Sequence, residues 1–273
     1  MIQPNDTVVL PIGLEIDGVR YKTVRISEMN GYDEENLASR KVRNNGAKGQ
    51  SILLRRCIQE IEGLFPRKDN PNELIKDKYV LDMCSYDRDF LFFSIRSLGG
   101  VPDIDLTFEC TSCGTDNTTT ASVEDLEVYE WPEEEAFEIP FEMKNGIFQD
   151  GVMHKEGVWR FLSGKQQEQL AKVNSERLLS ASMVMCIYRL GEMQGTPTEE
   201  QFKRLSTTER TDILEQIARE APGVQTTLKL SCDECGLEQE TALDVSRFFK
   251  SAASPSRTQT SSGRPTRRRL RRH

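Results

Sequence analysis

The chain has 273 residues, 37% of them hydrophobic and 29% charged, a formal net charge of −8 and only two histidines, His154 and His273. That length suits one large or two modest domains, and so little histidine leaves Cys–His or Ser–His–Asp chemistry almost nothing to draw on. No run approaches a membrane span and no basic-then-apolar leader opens the sequence, so the expectation is a chain that makes no membrane contact and stays in a reducing cytoplasm.

In chain order, residues 8–26 read as a β-hairpin, with strand alternation on both sides of an Asp17-Gly18 turn. Helices are expected over 33–41 and 48–61, separated by Asn44-Asn45-Gly46. The second places Ile52, Leu53, Cys57 and Ile61 on one face. Pro66 and Asp69-Asn70-Pro71 break the chain into a loop. Ser85 reads as the N-cap of a helix through Arg96, too apolar at Phe90, Leu91, Phe93 and Ile95 to be exposed; Gly99-Gly100 and Pro102 end it.

Next comes Ile104-Asp-Leu-Thr-Phe-Glu-Cys110-Thr-Ser-Cys113-Gly114, an alternating strand that runs into a CxxCG knuckle and leaves through a Thr-rich run. After it, the acidic stretch 124–138, with Glu133-Glu134-Glu135, reads as a solvated loop or edge. Strands of a small sheet are expected at 137–141, 146–153 and 157–161. Ser163 should cap a long helix over 165–190. Thr198 with Gln201, and Ser206 with Glu209, have capping-box spacing and start a short helix and then a longer one, which Ala221-Pro222-Gly223 terminates. Thr226-Thr-Leu-Lys-Leu-Ser-Cys232-Asp-Glu-Cys235-Gly236 then repeats the strand-into-knuckle frame.

Two residues between cysteines let both thiolates turn toward one ion, and the trailing glycine permits the left-handed backbone that closes the turn. Two knuckles supply the four ligands of a closed tetrahedral site. The expectation is therefore one structural Zn²⁺ on Cys110, Cys113, Cys232 and Cys235, with no open position for catalysis. Separate disulfides and unliganded knuckles are the alternatives. A redox-active pair is expected beside a βαβ unit, whereas these pairs join antiparallel-looking strands. Cys57, Cys84 and Cys186 lack CxxC partners and read as small buried hydrophobes.

These elements compose an α+β chain: an N-terminal hairpin and helical domain (1–103), a split zinc ribbon (104–123 with 224–250), an inserted lobe of small sheet and helices (124–223), and a disordered tail (251–273). If one ion binds both knuckles, the insertion must be a closed excursion whose ends meet. The tail carries seven arginines (Arg257, Arg264, Arg267, Arg268, Arg269, Arg271 and Arg272) and no acid, which leaves about −15 on the first 250 residues.

With a hairpin, the Ser85-Tyr-Asp-Arg-Asp-Phe-Leu-Phe-Phe-Ser-Ile-Arg96 helix, the strand-into-knuckle at 104–113 and a closing Leu243-Asp-Val-Ser-Arg-Phe-Phe249, the chain resembles the baseplate hub and tail-assembly proteins of contractile-tailed bacteriophages of the T-even type. The resemblance covers residues 5–250. It implies a structural, non-catalytic component of the virion's tail baseplate, assembled in the host cytoplasm, whose partners are other tail and baseplate subunits rather than a small-molecule substrate.

Partner contacts are expected at Phe248 and Phe249, which could instead cap the chain's own core, and at Arg267, Arg268, Arg269, Arg271 and Arg272. The resemblance does not extend to the tail, which could bind nucleic acid, dock on an acidic subunit or solubilise the chain. A nucleic-acid-binding zinc ribbon is the alternative function; the acidic body, with Glu109 and Asp116 beside the first knuckle, opposes it. An enzyme would have to rest on acids such as Glu133–Glu135, since no phosphate loop or GxSxG is present.

Overall fold

A computed structural model describes residues 1–39, 42, 45–66, 74–132 and 137–243. Helix and strand share these residues almost equally. Strands β1 (Thr7–Ile16) and β2 (Val19–Ile26) form the expected hairpin, closed by Asp17 at φ 51° and Gly18 at φ 79°. The register slips between Val9 and Leu14, so β1 carries a bulge. Helices α1 (Gly31–Ala38) and α2 (Gly46–Cys57) follow, then β3 (Ile58–Ile61) and β4 (Phe65–Pro66), which complete an antiparallel sheet in the order β1-β2-β3-β4.

The expected helix over 48–61 is therefore corrected: it ends at Cys57. The open edge of β2 takes the next four residues as a strand, pairing Val24 with Ile61 and leaving Ile58 and Ile61 buried. Helices α3 (Asp77–Asp82) and α4 (Ser85–Leu98) come next. Ser85 is the first residue of α4 rather than its cap; Cys84 holds the cap position without a side-chain bond, and the Ser85 amide donates to Leu162 O at 2.7 Å. Phe90, Leu91, Phe92, Phe93 and Ile95 are all buried, as befits the central helix of the first core.

The first turn of α4 carries charge into that core. Asp87 accepts the amides of Ile12 and Gly13 in the β1 bulge, both at 2.9 Å. Arg88, fully buried, donates to Val80 O and Gln167 Oε1 at 2.8 Å, and to Ala47 O and Ser51 Oγ at 3.0 Å. Gly164 lies where a Cβ would stand 2.4 Å from the guanidinium, so only glycine fits.

Strands β5 (Asp103–Glu109) and β6 (Asp116–Ser122) form the first knuckle hairpin, and a 3₁₀ turn (Val123–Asp125) leads to β7 (Val128–Tyr129). A longer hairpin follows, β8 (Glu138–Gln149) and β9 (Val152–Arg160), turning at Asp150-Gly151. Residues 146–153 are thus not one strand but a strand end, a turn and a strand start. Helix α5 (Gly164–Leu170) opens with the expected Ser163 cap, but the chain breaks before α6 (Ser175–Cys186) and passes into β10 (Ile187–Leu190) on the edge of β9. The single helix over 165–190 is corrected for the same reason as the earlier one, an open hairpin edge that recruits a strand. Helices α7 (Glu199–Arg204) and α8 (Thr207–Glu220), with β11 (Gly223–Val224), lead to the second knuckle hairpin, β12 (Thr227–Ser231) and β13 (Glu238–Ala242).

Strand β11 pairs with β7 (Gly223 with Tyr129, Val224 with Val128), and Gln225 N donates to Glu127 O at 2.8 Å. The long excursion between the knuckles is thereby zipped at its base by backbone bonds, with Val224 and Val128 packed on the first core. Its residues form most of a second core, around Trp131, Ile139, Phe141, Trp159, Met183, Phe202 and Ile213, to which β1 contributes Ile12.

Two halves of the chain repeat one order: bulged hairpin, two helices, edge strand, two helices, knuckle hairpin. Helices α2 and α6 have 12 residues each, β3 and β10 four, α3 and α7 six, α4 and α8 fourteen. Equivalent residues include Asp17-Gly18-Val19 and Asp150-Gly151-Val152, Gly31 and Gly164, Cys57-Ile58 and Cys186-Ile187, Arg88 and Arg210, Cys110 and Cys232. The third residue of α8, Glu209, holds the β8 bulge at Asn145 N (2.7 Å) and Gly146 N (3.2 Å), as Asp87 holds the bulge of β1.

Candidate metal centre

Each knuckle is built by the same two backbone bonds. Cys110 N donates to Thr115 O and Gly114 N to Cys110 O; Cys232 N donates to Leu237 O and Gly236 N to Cys232 O, all at 2.9 Å. Gly114 and Gly236 both sit at φ 71°, a left-handed conformation costly for other residues. The turns aim two sulfurs of each hairpin at the other hairpin.

The sulfurs of Cys110 and Cys235 are 3.6 Å apart, as are those of Cys113 and Cys232, and all four lie within 4.8 Å of one another. Four thiolates at about 2.3 Å from one tetrahedral ion stand about 3.8 Å apart, so the cluster has the dimensions of such a site; a disulfide needs about 2 Å. All seven cysteines are free thiols. Cys110 and Cys232 are buried, Cys113 and Cys235 exposed.

Side-chain struts hold the hairpins together and obey the same two-fold relation. Asp233 N donates to Asn117 Oδ1 at 2.9 Å; at the equivalent positions, Thr111 N donates to Gln239 Oε1 at 3.0 Å. Asn117 Nδ2 also reaches Thr115 O and Gln239 Nε2 reaches Glu109 O. Neither strut residue was singled out from sequence, although each stands seven residues after the first cysteine of its knuckle.

The electrostatics set two of these cysteines, Cys113 and Cys232, apart from those in the cores. The Cys113 thiol is pulled down to about 6 by the Thr115 hydroxyl, 3.3 Å away, and then by the Thr115 amide. Cys232 is lowered chiefly by the Cys235 amide. Cys57 and Cys186, by contrast, are pushed up to about 12 by burial and stay neutral in the two cores. Cys235 is likewise pushed up to about 12, but chiefly by its contacts with the Cys110 and Cys113 sulfurs. Within the cluster, therefore, Cys113 and Cys232 favour the thiolate and Cys235 holds its proton until an ion displaces it. His154 is buried beside Gly191 and is not part of the sulfur cluster. Phe248, Phe249, the tail arginines and Glu133–Glu135 lie outside the described residues.

Two cores in direct contact, with a four-thiol cluster between the knuckle hairpins, make up a chain of mixed helix and sheet. The family model described as T4 bacteriophage base plate protein matches residues 20–250, and the chain belongs to that family. No curated protein and no solved structure matches it. It is thus a structural component of a phage tail baseplate. Among the described residues no helix is long and apolar enough to cross a membrane.

Proposed function

We propose that this chain is a hub component of the baseplate, non-catalytic, in which one structural Zn²⁺ on Cys110, Cys113, Cys232 and Cys235 staples the two knuckle hairpins into a single ribbon. The cross-hairpin sulfur spacing of 3.6 Å, in a chain of the baseplate family, carries this reading. A closed tetrathiolate leaves no coordination position for substrate, so the ion supplies rigidity and no reaction.

Each ribbon hairpin has only two strands, which is marginal alone. Metal binding of about 10–16 kcal/mol apparent, as in zinc-finger peptides, is large against such a module. Because β7 and β11 close the excursion independently, the metal's stabilisation falls on the ribbon rather than on the two cores.

The partners on this reading are other tail and baseplate subunits. Nucleic-acid binding by the ribbon is disfavoured by the exposed Asp105, Glu109, Asp116, Glu238 and Glu240, which would repel phosphate. The test is metal analysis of protein purified without chelator. One zinc per chain supports the proposal; metal-free protein with oxidised cysteines contradicts it.

A further inference from the structure

The two halves are not equally covered. In the first, α5 from the second half lies across the N-terminal part of α2, the end of α3 and the start of α4. Gln167 accepts Arg88 Nε at 2.8 Å, Glu168 Oε1 accepts Ser51 Oγ at 2.6 Å, Glu168 O accepts Asn45 Nδ2 at 3.1 Å, and Gly164 makes room for the guanidinium. Gly49 and Gln50 on α2 are buried as a result.

Among the described residues, the equivalent helix positions of the second half are more exposed. Leu178 and Leu179, which replace Gly49 and Gln50, are 43% and 42% exposed. Arg210 Nε, which replaces Arg88 Nε, is buried and has no hydrogen-bond partner among the described residues. Ser180, which replaces Ser51, is buried on α6 as Ser51 is on α2.

The element that would cover this face also exists, and its outer side is free. Helix α1 repeats α5, Gly31-Tyr-Asp-Glu-Glu-Asn-Leu-Ala38 against Gly164-Lys-Gln-Gln-Glu-Gln-Leu-Ala171. Each grips the end of the following helix through its third residue: Asp33 bonds Arg56, and Gln166 Nε2 donates to Met185 O at 3.1 Å. On the other side of α1, however, Glu34, Glu35 and Tyr32 face solvent, and a Cβ on Gly31 would meet nothing within 4 Å. Gly31 is a glycine for which the described residues supply no neighbour.

We propose that α1 of a second copy of this chain docks on the α6–α7–α8 face, reproducing between copies the contact that α5 makes between the halves. Glu34 of the second copy then pairs with the half-buried Arg210 guanidinium, and Gly31 lets α1 approach it closely. Leu178 and Leu179 are covered. Arg210 meets a carboxylate where Arg88 meets an amide, so the contact between copies is a charge-assisted one. The two surfaces differ, so the interface is heterologous: each copy offers one α1 and one face, and pairing can continue from copy to copy. The inference does not rest on the metal.

The test is sedimentation of the metal-loaded full chain across a concentration series, beside Gly31→Leu and Leu178→Asp/Leu179→Asp. Both variants alter exposed positions, so thermal melting should match the wild type. The wild type is expected to gain mass with concentration, and each variant to associate at least about tenfold more weakly. Mixing the two variants should restore a pair, because each keeps the surface the other lacks, but nothing larger. A wild-type chain that sediments as one copy at every concentration, variants that associate like it, or a mixture that does not pair would each overturn the proposal.

Discussion

Arg88 and Arg210 occupy the same position in two halves of one architecture, yet one is enclosed by five acceptors and the other has an Nε with no partner among the described residues. The carboxylates before them differ likewise. Asp87 is pushed up to about 7, because burial outweighs the Ile12 and Gly13 amides. Glu209 is held below its ordinary value, because Asn145 and Gly146 bonds outweigh its burial. Duplicated elements thus keep their backbone task, bracing a bulge, while their charged groups are tuned by what covers them. At the knuckle hairpins the halves converge again, with matched turns, matched glycines and matched struts.

The comparison can be broken most severely at the ribbon. Chelation, or Cys110→Ser with Cys235→Ser, should release both hairpins, given metal terms of about 10–16 kcal/mol in zinc-finger peptides. Amide exchange over 103–122 and 227–242 should become fast while the helical signal persists. Loss of the whole helical signal would show that the metal supports the cores as well.

A smaller effect separates the two arginines. Arg88→Met should cost about 3–5 kcal/mol in denaturant unfolding, since it leaves buried acceptors unpaired, whereas Arg210→Met should cost about 1 kcal/mol or less. Equal losses would contradict the unequal covering of the halves.

The bracing carboxylates should give opposite pH dependence. Asp87 has a folded value raised from 3.8 to about 7, so its contribution is fully present below about 4 and is lost as pH rises through 7. Glu209 is lowered from 4.5, so its contribution is present above that value and is lost as pH falls below it. In stability measured against pH, Asp87→Asn should remove the decline between 4 and 7, and Glu209→Gln the decline on the acid side. The smallest effects belong to the struts: Asn117→Ala and Gln239→Ala should each cost about 1 kcal/mol in thermal unfolding, and equally, if the ribbon is two-fold.

Much of this was legible in residue order. Asp17-Gly18 between alternating strands, the two CxxCG turns, and the caps at Ser163, Thr198 and Ser206 are local signals, and each acts locally. What was hidden depends on partners distant in sequence. The apolar spacing through Cys57-Ile58 and Cys186-Ile187 suits a helix as well as a strand; only an open hairpin edge decides for the strand. Ser206 with Glu209 has capping-box spacing, but the Glu209 carboxylate goes to the β8 bulge and only the serine side of the box forms. The duplication itself was visible only as two knuckles. Few residues repeat, and the spacing between equivalents shrinks along the chain, from Asp17 and Asp150 to Cys110 and Cys232.

The claim on which the ribbon depends is that each half gives two thiolates to one ion. X-ray absorption at the zinc edge of the metal-loaded chain tests it most directly. Four sulfur neighbours at about 2.3 Å, with one ion per chain, is the predicted result. A shell containing nitrogen or oxygen, or fewer than four sulfurs, would contradict it.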